Sequence, residues 1–600
     1  MCGIAAIFDY DGSLRTKPEE LGRMLGQMQN RGPDGQGQRV GLSGLVSLGH
    51  RRLAIIDLSP AGAQPMSSDD GTVIVTFNGE IYNYRELRAD LEAKGCRFRS
   101  HSDTEVLLHL YQLEGEAMTA KLRGMYAFAI WDDRKQALFL ARDPFGIKPL
   151  YYANDGHTFR AASQIKALLA SGGVSRTPEP AGHVGFFLWG HVPEPYTLCK
   201  QIRSLPAGCS MWVDRHGLHP PTRFRAIPQL LFEAQEAVGR EDLTPQAVHE
   251  QLRGALVDSV AHHLIADVTV GVFLSSGLDS TTLAALAAER AGRLHTVTLG
   301  FEEYRGTRDD EVPLSEQVAR HLNTEHKTVW VRREDFASHS ERLLSSMDSP
   351  SIDGVNTYFV SYAARQAGLK VALSGLGGDE LFGSYDSTKD VPRLVRTFRP
   401  FQHCPPLGMA FRAVAAPVLK HFTSPKYAGL LEYGGTYGGA YLLRRGMFMP
   451  WELPGLLDPD LVRAGWRELE TFARLGATVS GLEGDRQRVC ALESCWYMRN
   501  QLLRDTDWAS MAHSVEVRVP LLDLPLWRAI TPLLIANASI SKTCMGRTPA
   551  CPLPAEVLHR KKTGFSVPVR NWLAYNRVDA HLDRGYRGWA KFMYHKHIEA

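Results

Sequence analysis

Residues 268–280, VTVGVFLSSGLDS, constrain the fold more than any other part of the chain. The first seven form an unbroken apolar, β-branched-rich run, the pattern of a parallel strand buried on both faces. A Ser/Gly turn follows at once, and residues 281–291, TTLAALAAERA, are rich in strong helix formers. Strand, loop and helix start in direct succession build an anion site. Free N–H groups and the positive end of the helix dipole point into the loop, and Ser275, Ser276 and Ser280 add hydroxyl donors for phosphate oxygens. Asp279 is placed to hold an accompanying Mg2+. No G-x-x-x-x-G-K-S/T motif occurs, and the nearest approach, residues 378–384, lacks the lysine, so Walker-type kinase and ATPase readings lose ground.

A second loop completes the picture. Residues 294–299 and 369–373 read as further strands, and the latter runs into Ser374-Gly375-Leu376-Gly377-Gly378-Asp379-Glu380. In an open parallel sheet, ligands bind beyond the carboxyl ends of the strands, so both loops can face one ATP, with Asp279 and Asp379 sharing the metal. Residues 505–523 pass from a helix-like part into the alternation Val515, Val517, Val519, where Glu516 and Arg518 share the other face and can pair in a structural role. Lys562, beside the glycine turn of Arg560-Lys561-Lys562-Thr563-Gly564, can balance a leaving pyrophosphate.

Six hundred residues exceed a single core. We divide them into residues 1–215, a linker at 216–240 marked by Pro220-Pro221 and Pro228, and 241–600, which restarts with Thr244-Pro245 as a helix N-cap and first turn. Val248, Leu252, Leu256, Val260 and Leu264 then form the apolar stripe of a helix packed beside the central strand. A net charge of +3 without a long basic run singles out neither nucleic acid nor an anionic membrane as a partner. No apolar stretch reaches the roughly 18 residues that span a bilayer. The first residues, MCGIAAIFDY, lack a basic start and meet Asp9 early, unlike a signal peptide. Nine cysteines without a C-x-x-C pair point to a reducing cytoplasm and against a disulfide framework or zinc site.

Cys2 is the second focus. A small penultimate residue permits removal of Met1, leaving a cysteine whose own α-amino group, with a pKa of about 7.7 to 8.0, can act as its base. Residues 73–77 read as a strand running into Asn78-Gly79-Glu80, where an Asn amide beside a Gly N–H makes a plausible oxyanion hole. Arg52 can clamp a carboxylate and Asp103 can receive an ammonium group, so the two suit a free amino acid.

MCGI, RGPD at 31–34, HRRLAIID at 50–57, FNGEIYN at 77–83 and RDPFGIK at 142–148 together resemble the class II glutamine amidotransferase domain over about the first 210 residues. The resemblance implies an α+β N-terminal-nucleophile fold, two antiparallel sheets between helical layers (αββα), that hydrolyses glutamine through a thioester. By residue-wise match it implies Cys2 as nucleophile, Asn78 and Gly79 as the oxyanion hole, Arg52, Glu80 and Asp103 as glutamine holders, and the backbone of Leu53, Ala54, Ile55 and Ile56 as pocket lining. Ser163-Gln164 departs from a Ser-Glu common in relatives and touches an expected domain contact.

SSGLDS, in turn, resembles the pyrophosphate loop of enzymes that split ATP between its α and β phosphates, with Ser276 where family members usually carry glycine. With SGLGGDE, DWASMAHSVEVRVPLLD and RKKTGF, the second half is similar to the synthetase domain of glutamine-hydrolysing asparagine synthetases. That resemblance implies an α/β parallel-sheet adenine-nucleotide α-hydrolase fold in which ATP adenylates aspartate and tunnelled ammonia attacks the β-aspartyl-AMP. Implied ATP contacts are Leu274, Ser275, Ser276, Gly277, Asp279, Ser280, Leu299, Ser374 and Gly375, with Asp279 and Asp379 at Mg2+ and Lys562 at the pyrophosphate. Small-molecule substrates, no nucleic acid, no membrane and a possible homodimer complete the expectation. Leu376 stands where some asparagine synthetases carry glutamate and related β-lactam-forming synthetases tyrosine, and a leucine does no proton transfer. The acceptor therefore stays open between aspartate and another carboxylate, on a peptide, an envelope sugar or a secondary metabolite. A non-catalytic regulatory homologue fits poorly with retention of Cys2, Arg52, Asn78, Asp103, Asp279 and Asp379. Sugar-phosphate and purine-pathway amidotransferases share the first domain but need a different second half.

Overall fold

Gly3–Asp9 is apolar up to its last residue, and the strand it forms lies antiparallel between Val46–Arg52 and Thr158–Ala162. It belongs to a six-stranded sheet that faces a seven-stranded sheet. The two-residue period sorts the side chains. Ile4, Ala6 and Phe8 point inward to meet Ile74, Ala129 and Trp131 of the second sheet, while Ala5 and Ile7 point outward under Leu21, Met24 and Leu25 of the helix Pro18–Gln27. On the far side, Phe77 and Phe128 carry the helix Asp103–Glu114. The first half is therefore the expected four-layer αββα arrangement. The computed structural model describes residues 1–12, 18–238, 244–560 and 586–599.

Two elements differ from the sequence expectation. The strand expected at 73–77 continues to Ile81, paired along its length with Gly124–Asp132, so Asn78, Gly79 and Glu80 lie inside a strand and not after one. The stretch expected as a linker is structured through residue 238. Gly217–Leu218 and Thr222–Arg223 pair with Cys209–Asp214, and Pro228 sits in the first turn of the helix Ile227–Glu236, where its missing N–H costs no helical hydrogen bond. The rest of that stretch, from residue 239, lies outside the described residues.

The second half is organised on five parallel strands in the spatial order Glu325–Val331, His295–Phe301, Val270–Phe273, Val371–Leu373, Glu516–Arg518. Numbered along the chain this is 3-2-1-4-5, so the direction of winding reverses between Val270–Phe273 and Val371–Leu373. The two loops singled out in the sequence leave the carboxyl ends of that pair of strands, at the place where such folds hold ligands. Thr244 caps the helix Pro245–His263 by accepting from Ala247 N at 3.2 Å, and Leu252, Leu256 and Val260 are buried on its stripe. The helix expected from residue 281 begins at Leu278, which moves Asp279 and Ser280 into its first turn. Helices Tyr437–Arg445, Pro459–Leu469 and Asp485–Leu492 form a further core with Pro180–Trp189 from the first half.

Candidate active sites

Cys2 is nearly buried at the start of the central strand, and burial pushes its thiol up. Its backbone N donates to Asn78 Oδ1 at 3.0 Å, Arg31 Nε donates to its carbonyl at 3.0 Å, and its Sγ lies 3.8 Å from Leu53 O. Asn78 is fully buried, and with Oδ1 engaged, its Nδ2 has no hydrogen-bond partner among the described residues. A buried amide donor beside a thiol is what an oxyanion hole requires. A Cβ on Gly79 would lie 2.0 Å from Met125 O, so no side chain fits between these paired strands.

The glutamine-holding candidates surround this centre. Asp103 begins the helix Asp103–Glu114 and accepts from Ile81 N at 3.0 Å; burial, reinforced by Glu516, pushes its carboxyl up to about 6. Burial and Glu516 also hold Glu80 well above the usual carboxylate range, although Arg518 Nη2 lies 3.3 Å from it. Arg52 is half-exposed, with Nη1 donating to Ser59 O at 2.9 Å and Nη2 to Asp57 O, which fixes the guanidinium over the following turn. Leu53, Ile55 and Ile56 are buried in the domain core, and Ala54 N donates to Asp34 Oδ2 at 2.9 Å.

In the second half, Leu274 closes the central strand, its N donating to Val297 O at 2.9 Å, while Leu299 packs into the core of the next strand. The loop after Leu274 is held by Ser280, whose hydroxyl lies 2.8 Å from Ser275 Oγ and 3.0 Å from Ser275 O. Ser280 thus shapes the loop, and Ser275 Oγ also accepts from Gly277 N at 3.1 Å. Ser276 Oγ is buried without a partner among the described residues, an orphan donor suited to a phosphate oxygen. Ser276 does not adopt positive φ, so serine in place of glycine carries no left-handed strain here. Ser374 N donates to Arg518 O at 2.8 Å, and a Cβ on Gly375 would come within 2.7 Å of Asp279 Cβ. The two loops are in contact.

Asp279 and Asp379 converge on one cation. Lys542 Nζ donates to Asp379 Oδ1 at 2.5 Å and to Asp279 Oδ2, and both carboxylates hold the lysine firmly charged. No group of three or more His, Cys, Asp or Glu gathers at metal-binding distance among the described residues. Two carboxylates facing one position still fit Mg2+, which binds through one or two carboxylates and completes its shell with phosphate oxygens and water. Lys562 lies outside the described residues. Leu376 packs half-buried against the core of the second half, which gives it a structural place. Next to Asp379, Glu380 is buried and pushed up to about 7 by burial and by Asp379, and its Oε1 accepts from Tyr385 Oη at 2.7 Å.

Sequence reasoning missed Lys542, a lone lysine without a motif around it. It also used Arg31 only as part of the RGPD motif, whereas Arg31 makes a buried two-pronged pair with Asp507, at 2.6 and 3.0 Å, across the two halves. The expected pair of Glu516 and Arg518 forms, Arg518 Nε to Glu516 Oε1 at 2.7 Å, but it does more than brace its strand. Arg518 also reaches Glu80, one of the glutamine-holding candidates, and Glu516 Oε2 lies 3.0 Å from the Met1 nitrogen. One three-residue strand therefore touches both sites. At 163–166, where Gln164 departs from relatives, Ile165 N and Lys166 N donate to Asp348 at 2.7 and 3.0 Å, so the backbone makes the contact between halves.

Two family models match the chain. A glutamine amidotransferase domain model matches residues 1–224 and an asparagine synthase model matches residues 251–599. The Bacillus subtilis protein named asparagine synthetase (glutamine-hydrolyzing) 1 is 33% identical over 594 residues, spanning 96% of this chain and 88% of that one. A second from Bacillus subtilis, asparagine synthetase (glutamine-hydrolyzing) 3, is 29% identical across 94% of this chain and 87% of its own length. Asparagine synthetase B of Escherichia coli is 32% identical over 64% of this chain and 65% of its own. The chain belongs to the family of glutamine-hydrolysing asparagine synthetases.

Proposed function

We propose that this chain makes asparagine from aspartate, glutamine and ATP. The observation that carries the reading is the Cys2–Asn78 arrangement, in which one buried amide receives the nucleophile's own nitrogen and keeps its NH2 end for a developing oxyanion. With Met1 removed, that nitrogen is the α-amino base. It takes the thiol proton as Sγ attacks the glutamine carboxamide carbon, and it returns the proton to the departing ammonia. Water then releases glutamate from the thioester. Asp103 and Arg52 suit the ammonium and carboxylate of glutamine.

In the second half, the β-carboxylate of aspartate attacks the α-phosphorus of ATP, pyrophosphate leaves, and ammonia displaces AMP to give asparagine. Ser276 and the N–H groups starting the helix Leu278–Ala288 are suited to the phosphates. Asp279 and Asp379 would hold Mg2+, which when bound neutralises charge on the departing pyrophosphate. A cavity of about 200 Å³ is lined by Trp189, Asp353, Tyr441, Arg445, Trp496 and Tyr497, among others. Arg445 stacks on Tyr385, the partner of Glu380, with 4.6 Å to the ring centre, so the cavity adjoins the second loop. Its opposite charges, Asp353 and Arg445, suit the α-ammonium and α-carboxylate of aspartate. Free cysteines and an ATP-consuming reaction fit the cytoplasm.

The test follows pyrophosphate from Mg-ATP and glutamine, with and without L-aspartate, and asparagine in the same tube. Aspartate-dependent pyrophosphate together with asparagine is expected; glutamate formation without aspartate-dependent pyrophosphate would move the acceptor to another carboxylate. Cys2→Ala should lose glutamine-dependent product and keep synthesis from ammonium salt. Asp279→Ala should stop pyrophosphate release and keep glutamine hydrolysis.

A further inference from the structure

The helix Pro405–Phe422 is apolar on the face that an ordinary surface helix gives to charge. Its inner face carries Gly408 and Arg412 with the half-buried Ala415 and Leu419. Gly408 is buried where a Cβ would come within 2.8 Å of the Glu432 backbone, and Arg412 pairs with Glu432 at 2.7 Å while stacking 4.8 Å above Trp451. Its outer face is apolar. Leu407, Phe411, Val414 and Val418, spaced by four, three and four residues, are 48, 40, 76 and 56% exposed, and Met409, Ala410 and Ala413 are exposed beside them. No charged side chain is exposed on the helix among the described residues up to Leu419. Such a stripe exceeds the scattered exposed hydrophobics of a soluble surface.

The surroundings are cationic. Residues 391–431 hold four arginines and two lysines and not one aspartate or glutamate. Arg393, Arg396 and Arg399 are exposed just before the helix, spaced by three, with no carboxylate within ion-pair distance among the described residues. That spacing is why the segment escapes notice as a basic run. The turn Arg399–His403 packs against both flanking helices, so the arginines border the apolar stripe.

We propose that this helix docks the enzyme on an anionic lipid surface, lying in the interface with its apolar stripe in the acyl boundary and the arginines among the headgroups. Apolar area plus attraction to anionic lipid is the combination that holds interfacial helices. A second copy of the chain is a poorer occupant, because two-fold pairing of this face sets like charges against each other. The helix does not span: no helix described is long and apolar enough to cross a membrane.

The test is co-flotation of the full-length protein with phosphatidylcholine vesicles with or without 25% phosphatidylglycerol, an amount chosen on the order of a natural anionic fraction. Binding is expected only with the anionic lipid, falling on the order of tenfold between low and 0.5 M salt, the range over which surface charge is screened. Val414→Asp should abolish it, and Arg396→Gln with Arg399→Gln should weaken it on the order of tenfold. Glutamine hydrolysis unchanged in each variant checks that folding is intact. Absence of flotation, flotation that Val414→Asp leaves unchanged, or a dimer in light scattering that Val414→Asp splits without any lipid binding would each overturn the proposal.

Discussion

In the proposed mechanism Asn78 divides its two amide ends between the Cys2 nitrogen and the place where charge develops. Asn78→Ala should therefore cut glutamine turnover on the order of 10² to 10³-fold in kcat with a smaller change in KM, as loss of one oxyanion donor does. A KM-only effect would place Asn78 in binding instead. Asp103 gives a pH signature. Its carboxyl titrates near 6 in the folded protein and must be ionised to receive an ammonium. Hence kcat/KM for glutamine should fall about tenfold per unit as pH drops below that value, and Asp103→Asn should be low at every pH and lose this limb. The linked stability runs with its own sign. The raised pKa means the folded state binds the extra proton, so stability from this group declines as pH rises from the unfolded value toward about 6. Asp103→Asn should remove that slope in a thermal-melting series.

At the scale of elements, the two loops proposed to hold the phosphates depend on glycine for their contact. Gly375→Ala would set a methyl 2.7 Å from Asp279 Cβ and 3.1 Å from Ser280 N, with no flexible side chain to yield. Pyrophosphate release should drop by at least tenfold while glutamine hydrolysis stays near the parent level, because a misplacement of about 1 Å in such a site costs on the order of 10²-fold. Most of these elements were legible in the sequence. The apolar run before Ser275, the stripe of Leu252, Leu256 and Val260 and the N-cap at Thr244 all reflect local periodicity, and local periodicity survives packing. Boundaries were less legible. The strand through Asn78, Gly79 and Glu80 continues because Gly124–Asp132 pairs with it, and no property of Asn-Gly-Glu itself announces partners as distant in the chain as Met125, Tyr126 and Ala127. Lys542 was illegible for the same reason: its role exists only where two aspartates from distant loops converge on it.

For the whole molecule, the joint between halves is built from buried charge. Arg31 with Asp507, and Arg518 with Glu516 and Glu80, lie where solvent cannot repair a missing partner. Arg518→Met should lower stability by about 3 to 5 kcal/mol, since it leaves buried Glu80 without its counter-charge and Glu516 with the Met1 ammonium alone in direct contact. Urea unfolding followed by tryptophan fluorescence reads that loss, and a shift under about 1 kcal/mol would show that the carboxylates had simply taken up protons. The alternation of Val515, Val517 and Val519 revealed this strand; that its polar face reaches Glu80 and the Met1 nitrogen followed only from the docking of two domains. The lysine between Asp279 and Asp379 bears on the proposed metal role of that pair. Two acids from distant loops are already balanced by one tethered ammonium, so a divalent ion taking the proposed place would have to exchange for it, and the phosphates of a bound nucleotide would be the escort that makes the exchange favourable.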